Sequence, residues 1–289
     1  MPTAIPFTKM HGIGNDYVYI NGFETHVENP EPLARRISDR HFGVGSDGLV
    51  LILPSEIADV RMRMFNADGT EAEMCGNAVR CVAKYAHDHQ LAREAVVRVE
   101  TRSGIKAVRL LTEHGAVVGA TVDMGEPILE PSLVPVCPPS NHEGAKQLVD
   151  VPIHVEGQEY HFTAVSMGNP HAIVFMKNVD RLDLPRLGPL FENHSLFPRR
   201  TNTEFVDITS PTSVTMRVWE RGAGETMACG TGACAVVVAC VLNGHTERRV
   251  GVHLKGGRLD IHWDASNNHV FMTGGAETVF DGTYFYQGE

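Results

Sequence analysis

The chain contains itself twice. Sliding the sequence along itself by 154 positions lays Met62-Arg63-Met64-Phe65 over Met216-Arg217-Val218-Trp219 and, ten residues further on, Cys75-Gly76 over Cys229-Gly230. The same offset brings Gly14-Asn15 onto Gly168-Asn169. With a one-residue adjustment, Phe7-Thr8 meets Phe162-Thr163, and Val97, Val99, Arg102 and Gly104 meet Val250, Val252, Lys255 and Gly257. Separate clusters that share one long offset predict two homologous halves, because a solenoid repeats over roughly 20–50 residues. A chain of 289 residues with 43% hydrophobic content can bury a core in each half.

Within each half the pattern predicts strands, one helix after the cysteine, and more strands. Strand signals are Tyr17 to Ile20, Leu49 to Leu53, Val60 to Met64 and Val96 to Glu100 in the first half. In the second they are Thr215 to Trp219 and His269 to Met272. Val79, Val82, Ala83 and Ala86 recur at helical spacing behind Cys75, and Ala233 to Leu242 follows Cys229 with Asn243-Gly244 as a stop signal. That second helix is apolar all round and is expected at the centre of its domain. Residues 130–144, dense in Pro, Ser and Gly, read as a long connection carrying Cys137 as a bystander. The expected class is α+β: two pseudo-symmetric domains, each a mixed or antiparallel sheet wrapped around a central helix.

Several functions are disfavoured. A formal net charge of −10 without a basic run does not suit nucleic acid, whose affinity rests on clustered Lys and Arg. The N-terminal residues lack a signal-peptide pattern, and the run from Ala233 to Leu242 is about half of a ~20-residue membrane span, so no membrane partner is expected. Six cysteines in a chain this long point to reduced thiols in a cytoplasm. Cys81, Cys234 and Cys240 fall among Ala and Val and read as core. Fifteen histidines show no His-x-x-x-His or Cys-x-x-Cys spacing, so no metal is expected. Gly43-x-Gly45-x-x-Gly48 stands before a strand, the reverse of a dinucleotide-binding order.

The two Cys-Gly turns carry the chemistry. Each sits just ahead of a helix, where unpaired N–H groups and the positive dipole end favour an anion and are expected to lower a thiol pKa. Inverting a carbon centre without a cofactor needs a base on one face to remove the α-proton and an acid on the other to return one. Two equivalent thiols, one from each half, meet that need. Halves folded face to face would set the sulfurs on opposite sides of a cleft, with helix termini holding the substrate carboxylate.

MHGIGNDY (10–17), FNADGTEAEMCGNAVRC (65–81), SMGNPHA (166–172), TNTEFV (201–206) and WERGAGETMACGTGACA (219–235) strongly resemble the bacterial diaminopimelate epimerase family over essentially the whole chain. The resemblance implies interconversion of LL- and meso-diaminopimelate without pyridoxal phosphate or metal, on the way to lysine and peptidoglycan. It implies the two-domain epimerase fold, with residues 1–123 and a returning 275–289 forming one half and 124–274 the other, and a homodimer. Carried onto this sequence, it implies Cys75 and Cys229 as the acid/base pair, assisted by His171 and Glu220. Asn15, Asn66, Asn169, Asn202, Glu220 and Arg221 match substrate-binding positions. Gly76, Asn77, Gly230 and Thr231 match the cradle of the reacting carboxylate. Gly48 departs from members that carry a substrate-touching Gln there.

Blander readings stand beside these. A cysteine before a helix is more often a small buried hydrophobe, His171 alone would be a surface histidine, Arg221 a solvated charge and the asparagines turn formers. A racemase of another amino acid such as histidine, a proline-racemase-like or phenazine-type isomerase, and a thiol–disulfide redox module are the competing functions. The missing Cys-x-x-Cys counts against the last.

Overall fold

The computed structural model describes residues 2–288. They fall into two units, one running to Asp123 and resumed at Thr273, the other spanning Met124–Met272. Among the described residues no helix is long and apolar enough to cross a membrane.

The first unit opens with an antiparallel hairpin of β1 (Thr3–Gly12) and β2 (Asn15–Asn21). Its turn residues Ile13 and Gly14 both have positive φ, as a two-residue connection between twisted strands requires. Helix α1 (Pro30–Ser38) leads into β3 (Gly48–Leu53), which lies parallel to β2 with Tyr17 opposite Gly48. β4 (Val60–Asn66) returns antiparallel to β3, and the short β5 (Glu71–Ala72) folds back on it. Cys75 then caps α2 (Gly76–Asp88). β6 (Val96–Thr101) runs parallel to the start of β4, and β7 (Gly104–Glu113) and β8 (Ala116–Asp123) finish as an antiparallel meander. Six of these strands touch α2, whose residues Gly76 to Ala83 are all buried, so the sheet wraps around the helix.

The second unit repeats the plan. β9 (Val151–Val155) and β10 (Gln158–Ser166) form a hairpin, and β11 (Pro170–Phe175) turns back on β10. After α3 (Leu184–Glu192), β12 (Asn202–Ser210) lies parallel to β11 with His171 opposite Asn202. β13 (Ser213–Glu220), β14 (Gly224–Glu225) and α4 (Gly230–Leu242) follow, then β15 (Arg249–Leu254) parallel to β13 and β16 (Gly257–Trp263) antiparallel to β15. The chain leaves this unit within β17 (Val270–Gly275), and β18 (Glu277–Tyr286) pairs antiparallel with β1 in the first.

Both helix pairs, α1 with α3 and α2 with α4, are displaced by the same 154 positions that align the sequence. A further repeated device was not evident in the pattern. Arg63 grips Glu71 through two parallel bonds of 2.8 and 3.1 Å, and Arg217 grips Glu225 with the same two lengths. Such a fork fixes the short return strand in front of each cysteine.

Two expectations need correction. The strand expected from His269 begins at Val270. The stretch read as a long connection between the halves packs into the second unit: Val134 and Val136 are buried in its core with Phe162, Phe191 and Phe205. Its prolines prevent a strand ladder, yet its alternating apolar side chains still bury.

Candidate active site

Cys75 occupies the N-cap of α2 in extended backbone conformation, its carbonyl accepting the Val79 N–H at 2.9 Å. The first-turn N–H groups of a helix have no partner inside it, and Gly76 and Asn77 occupy that turn, both buried. The Cys75 thiol donates to Asn15 Oδ1 at 3.3 Å, and Asn77 Nδ2 donates to the same oxygen at 3.3 Å. Charges at either end fix both amides. Asn15 Nδ2 donates to Asp47 Oδ2 at 2.8 Å, while Asn77 Oδ1 accepts from Arg80 Nη2 at 3.0 Å.

Arg80 is fully buried and is the largest such side chain among the described residues. Its guanidinium also donates to Gly76 O at 3.1 Å and Gly275 O at 3.2 Å, tying the start of α2 to the returning strand. Asp47 belongs to a second charged group. Arg40 bridges it to Asp16 at 2.9 Å on each side, and Asp16 pairs with the nearly buried Lys9. Burial and the neighbouring Asp16 push the Asp47 carboxyl up. Burial acts the same way on Asp16, but hydrogen bonds from Arg40 and Lys9 outweigh it and hold that carboxyl below its ordinary value.

In the second unit Cys229 caps α4 and is 5% exposed. Its carbonyl accepts the Ala233 N–H at 3.0 Å, and its sulfur accepts the Gly232 N–H at 3.4 Å and lies 3.5 Å from Thr231 Oγ1. Gly230 is buried beside it and Thr231 half-buried. Glu220, at the end of β13, accepts from Thr226 Oγ1 and bonds with the Cys229 thiol. Burial raises the Glu220 carboxyl pKa, and the charge of Glu204 adds to the rise. Burial also pushes the Cys229 thiol well above its ordinary value, reinforced by Glu220 and Glu204. This reverses the lowering expected from the helix start: two carboxylates and the loss of water outweigh the Gly232 N–H and the dipole.

His171 is fully buried, with Nδ1 2.7 Å from Glu204 Oε1 and Nε2 3.1 Å from Asn169 Oδ1. Asn202 Oδ1 accepts the Arg221 backbone N–H at 2.8 Å. The Arg221 guanidinium is exposed and reaches Arg199 O at 3.0 Å.

The two cysteines thus share one backbone plan, while the amide of Asn15 meets the Cys75 thiol and the carboxylates of Glu220 and Glu204 lie near Cys229. The model of the family described as diaminopimelate epimerase matches residues 7–130 and 163–279. The chain belongs to the diaminopimelate epimerase family. A diaminopimelate epimerase from Desulfovibrio desulfuricans is 66% identical, the match covering 99% of this chain and 100% of that protein. Those of Acetivibrio thermocellus and Methanococcus maripaludis are 57% and 53% identical, each match covering 96% of this chain and 97% or 98% of theirs. Among solved structures, a phenazine biosynthesis protein of the PhzF family from Bacillus anthracis superimposes with a TM-score of 0.71 at 17% identity, over 97% of this chain and 99% of that one. A hydroxyproline epimerase from Agrobacterium vitis with bound trans-4-OH-L-proline gives 0.70 at 15%, over 99% and 94%. At that identity they share the fold.

Of the residues expected at the site, the first unit brings together Cys75, Asn15, Gly76 and Asn77. Asn66 is exposed, faces Gly48 across the β3–β4 ladder and donates to Thr70 Oγ1 at 3.0 Å. The second unit gathers Cys229, Glu220, Gly230 and Thr231, joins His171 to Asn169, and joins Asn202 to Arg221. Sequence reasoning missed Arg80, Asp47 and Glu204. The available signal was a charge inside an apolar stretch: Arg80 between Val79 and Val82, and Glu204 before Phe205-Val206.

The family position held here by Gly48 is closed to any side chain. A Cβ at Gly48 would lie 2.0 Å from Phe65 O and 2.8 Å from the Tyr17 ring. Restoring the glutamine, Gly48→Gln, is therefore expected to destabilise the enzyme by about 2 kcal/mol or more, since the obstruction is strand backbone. An unchanged urea midpoint would show that the strands part more easily than this packing allows.

Proposed function

We infer that the enzyme interconverts LL- and meso-diaminopimelate by removing and returning the α-proton, with Cys75 and Cys229 as the acid/base pair. The observation that carries this reading is the duplication itself. Each unit places one thiol at the N-cap of its buried helix, next to N–H groups suited to a carboxylate that takes up carbanion charge. One thiol removes the α-proton while the other returns a proton on the opposite face, and the reverse reaction exchanges the roles. His171 and Glu220 assist proton exchange at these sulfurs. A guanidinium holds a distal carboxylate through two parallel bonds, which suits Arg221, and amides both donate to a carboxylate and accept from an ammonium, which suits Asn15, Asn66, Asn169 and Asn202.

In this reading inversion needs neither pyridoxal phosphate nor a metal. The reaction belongs to lysine and peptidoglycan precursor synthesis, carried out in the cytoplasm by a homodimer. The test is α-proton exchange in heavy water across a panel of amino acids. Diaminopimelate is expected to exchange ~100-fold faster than histidine or proline, because only it offers a second zwitterionic end. Faster exchange of any other member would overturn the substrate assignment.

A further inference from the structure

Glu204 stands where the sister half has no charge. The 154-residue offset pairs it with Val50, His171 with Tyr17, and Gly232 with Ala78. Val50 and Glu204 occupy equivalent places in the parallel step of each sheet: Val50 faces Tyr19 across the ladder and Glu204 faces Ile173. Both are fully buried. The architecture therefore closes well with valine at this position, and the carboxylate serves some other need.

The surroundings of Glu204 are shaped to admit it. A Cβ on Gly232 would lie 2.5 Å from Glu204 Oε1 and 3.2 Å from Cys229 Sγ, so the alanine found at the sister position would exclude the carboxylate. Only one of its oxygens is used. Oε1 meets His171 Nδ1 at 2.7 Å, whereas Oε2 accepts no hydrogen bond from any described residue. A buried carboxylate with an idle oxygen costs stability, which a purely structural position would have shed.

We propose that Glu204 is a positioning residue for proton transfer: it accepts from Nδ1–H of His171 and so fixes the ring's tautomer and orientation, leaving an unprotonated Nε2 that faces the Asn169 side-chain amide, turned so that its nitrogen donates. The imidazole is flanked by an anion on one side and an amide on the other, and its ring plane follows from those two bonds. The charge of Glu204 also helps to keep the proton on Cys229, acting with Glu220. The proposal rests on the reading of His171 as an assisting residue, and the test separates the two.

The test compares Glu204→Gln, Glu204→Val and His171→Ala with the wild-type enzyme. Glu204→Gln and Glu204→Val are expected to lower kcat roughly tenfold or more with KM within about threefold, and to hold the thermal midpoint within about 5 °C. In 15N spectra of histidine-labelled enzyme, the His171 Nδ1–H signal, assigned by its loss in His171→Ala, is expected to shift or vanish in both. Turnover within about twofold of wild type in the Glu204 variants, with His171→Ala impaired, would overturn the proposal. Full activity of His171→Ala would overturn the underlying role of His171 and the proposal with it. Failure of both Glu204 variants to fold would identify the carboxylate as structural and also overturn it.

Discussion

Replacing either Cys75 or Cys229 by alanine is expected to reduce epimerisation by ~10³-fold or more while the fold survives, as a general acid or base commonly contributes 10²–10⁴-fold. Beside Cys75, the amides of Asn15 and Asn77 carry no transferable proton at neutral pH. Near Cys229, Glu220 is a titratable group hydrogen-bonded to the sulfur. Removing a small side chain at a helix N-cap costs about 1 kcal/mol, since backbone N–H groups and not the thiol build the cradle. Stereochemical inversion followed by circular dichroism, with urea unfolding of the same samples, checks both halves of the expectation. Near-normal turnover in either variant would sink the two-thiol assignment.

Arg80→Ala is expected to cost about 3–5 kcal/mol, the range for breaking a fully buried charged contact. The loss has three sources. It strips hydrogen bonds from Gly76 O, Asn77 Oδ1 and Gly275 O, empties the volume of a fully buried side chain, and releases the start of α2 from the returning strand. Arg80→Lys would not restore the network, because one ammonium cannot reproduce a planar fork directed at three acceptors. The charge partner of Asn77 would still be misplaced, so turnover is expected to fall even where Arg80→Lys folds. Urea denaturation midpoints report the first effect and kcat the second. A loss under ~1 kcal/mol for Arg80→Ala would mean the guanidinium does not hold this junction.

The fold class was legible because duplication leaves two copies of each periodic signal. Tyr17 to Ile20, Leu49 to Leu53 and Val60 to Met64 lie in strands, and both post-cysteine helices are present, with α4 buried almost throughout. The Asn243-Gly244 stop also holds, with Gly244 in the left-handed region at φ 69°. Residues 130–144 were harder, because prolines signal an irregular path equally well over a surface or into a core. Arg80 was hidden for a similar reason. A lone arginine on an apolar helix face is ordinarily a side chain whose stem lies along the surface and whose head reaches water, and nothing local shows that three acceptors await it inside.

By itself, the sequence determined that two related α+β halves would form and that each would set a cysteine at the start of its central helix, because periodicity, capping and repetition are local properties of the chain. Only the tertiary structure decided how the two half-sites differ. Proton affinity at a sulfur depends on which charges lie within a few ångströms and how much water they share, and those neighbours come from remote strands. Glu204 reaches Cys229 from β12 and Glu220 reaches it from β13, whereas amides anchored to Asp47 and Arg80 face Cys75. Two Cys-Gly turns therefore set their thiols among different remote side chains.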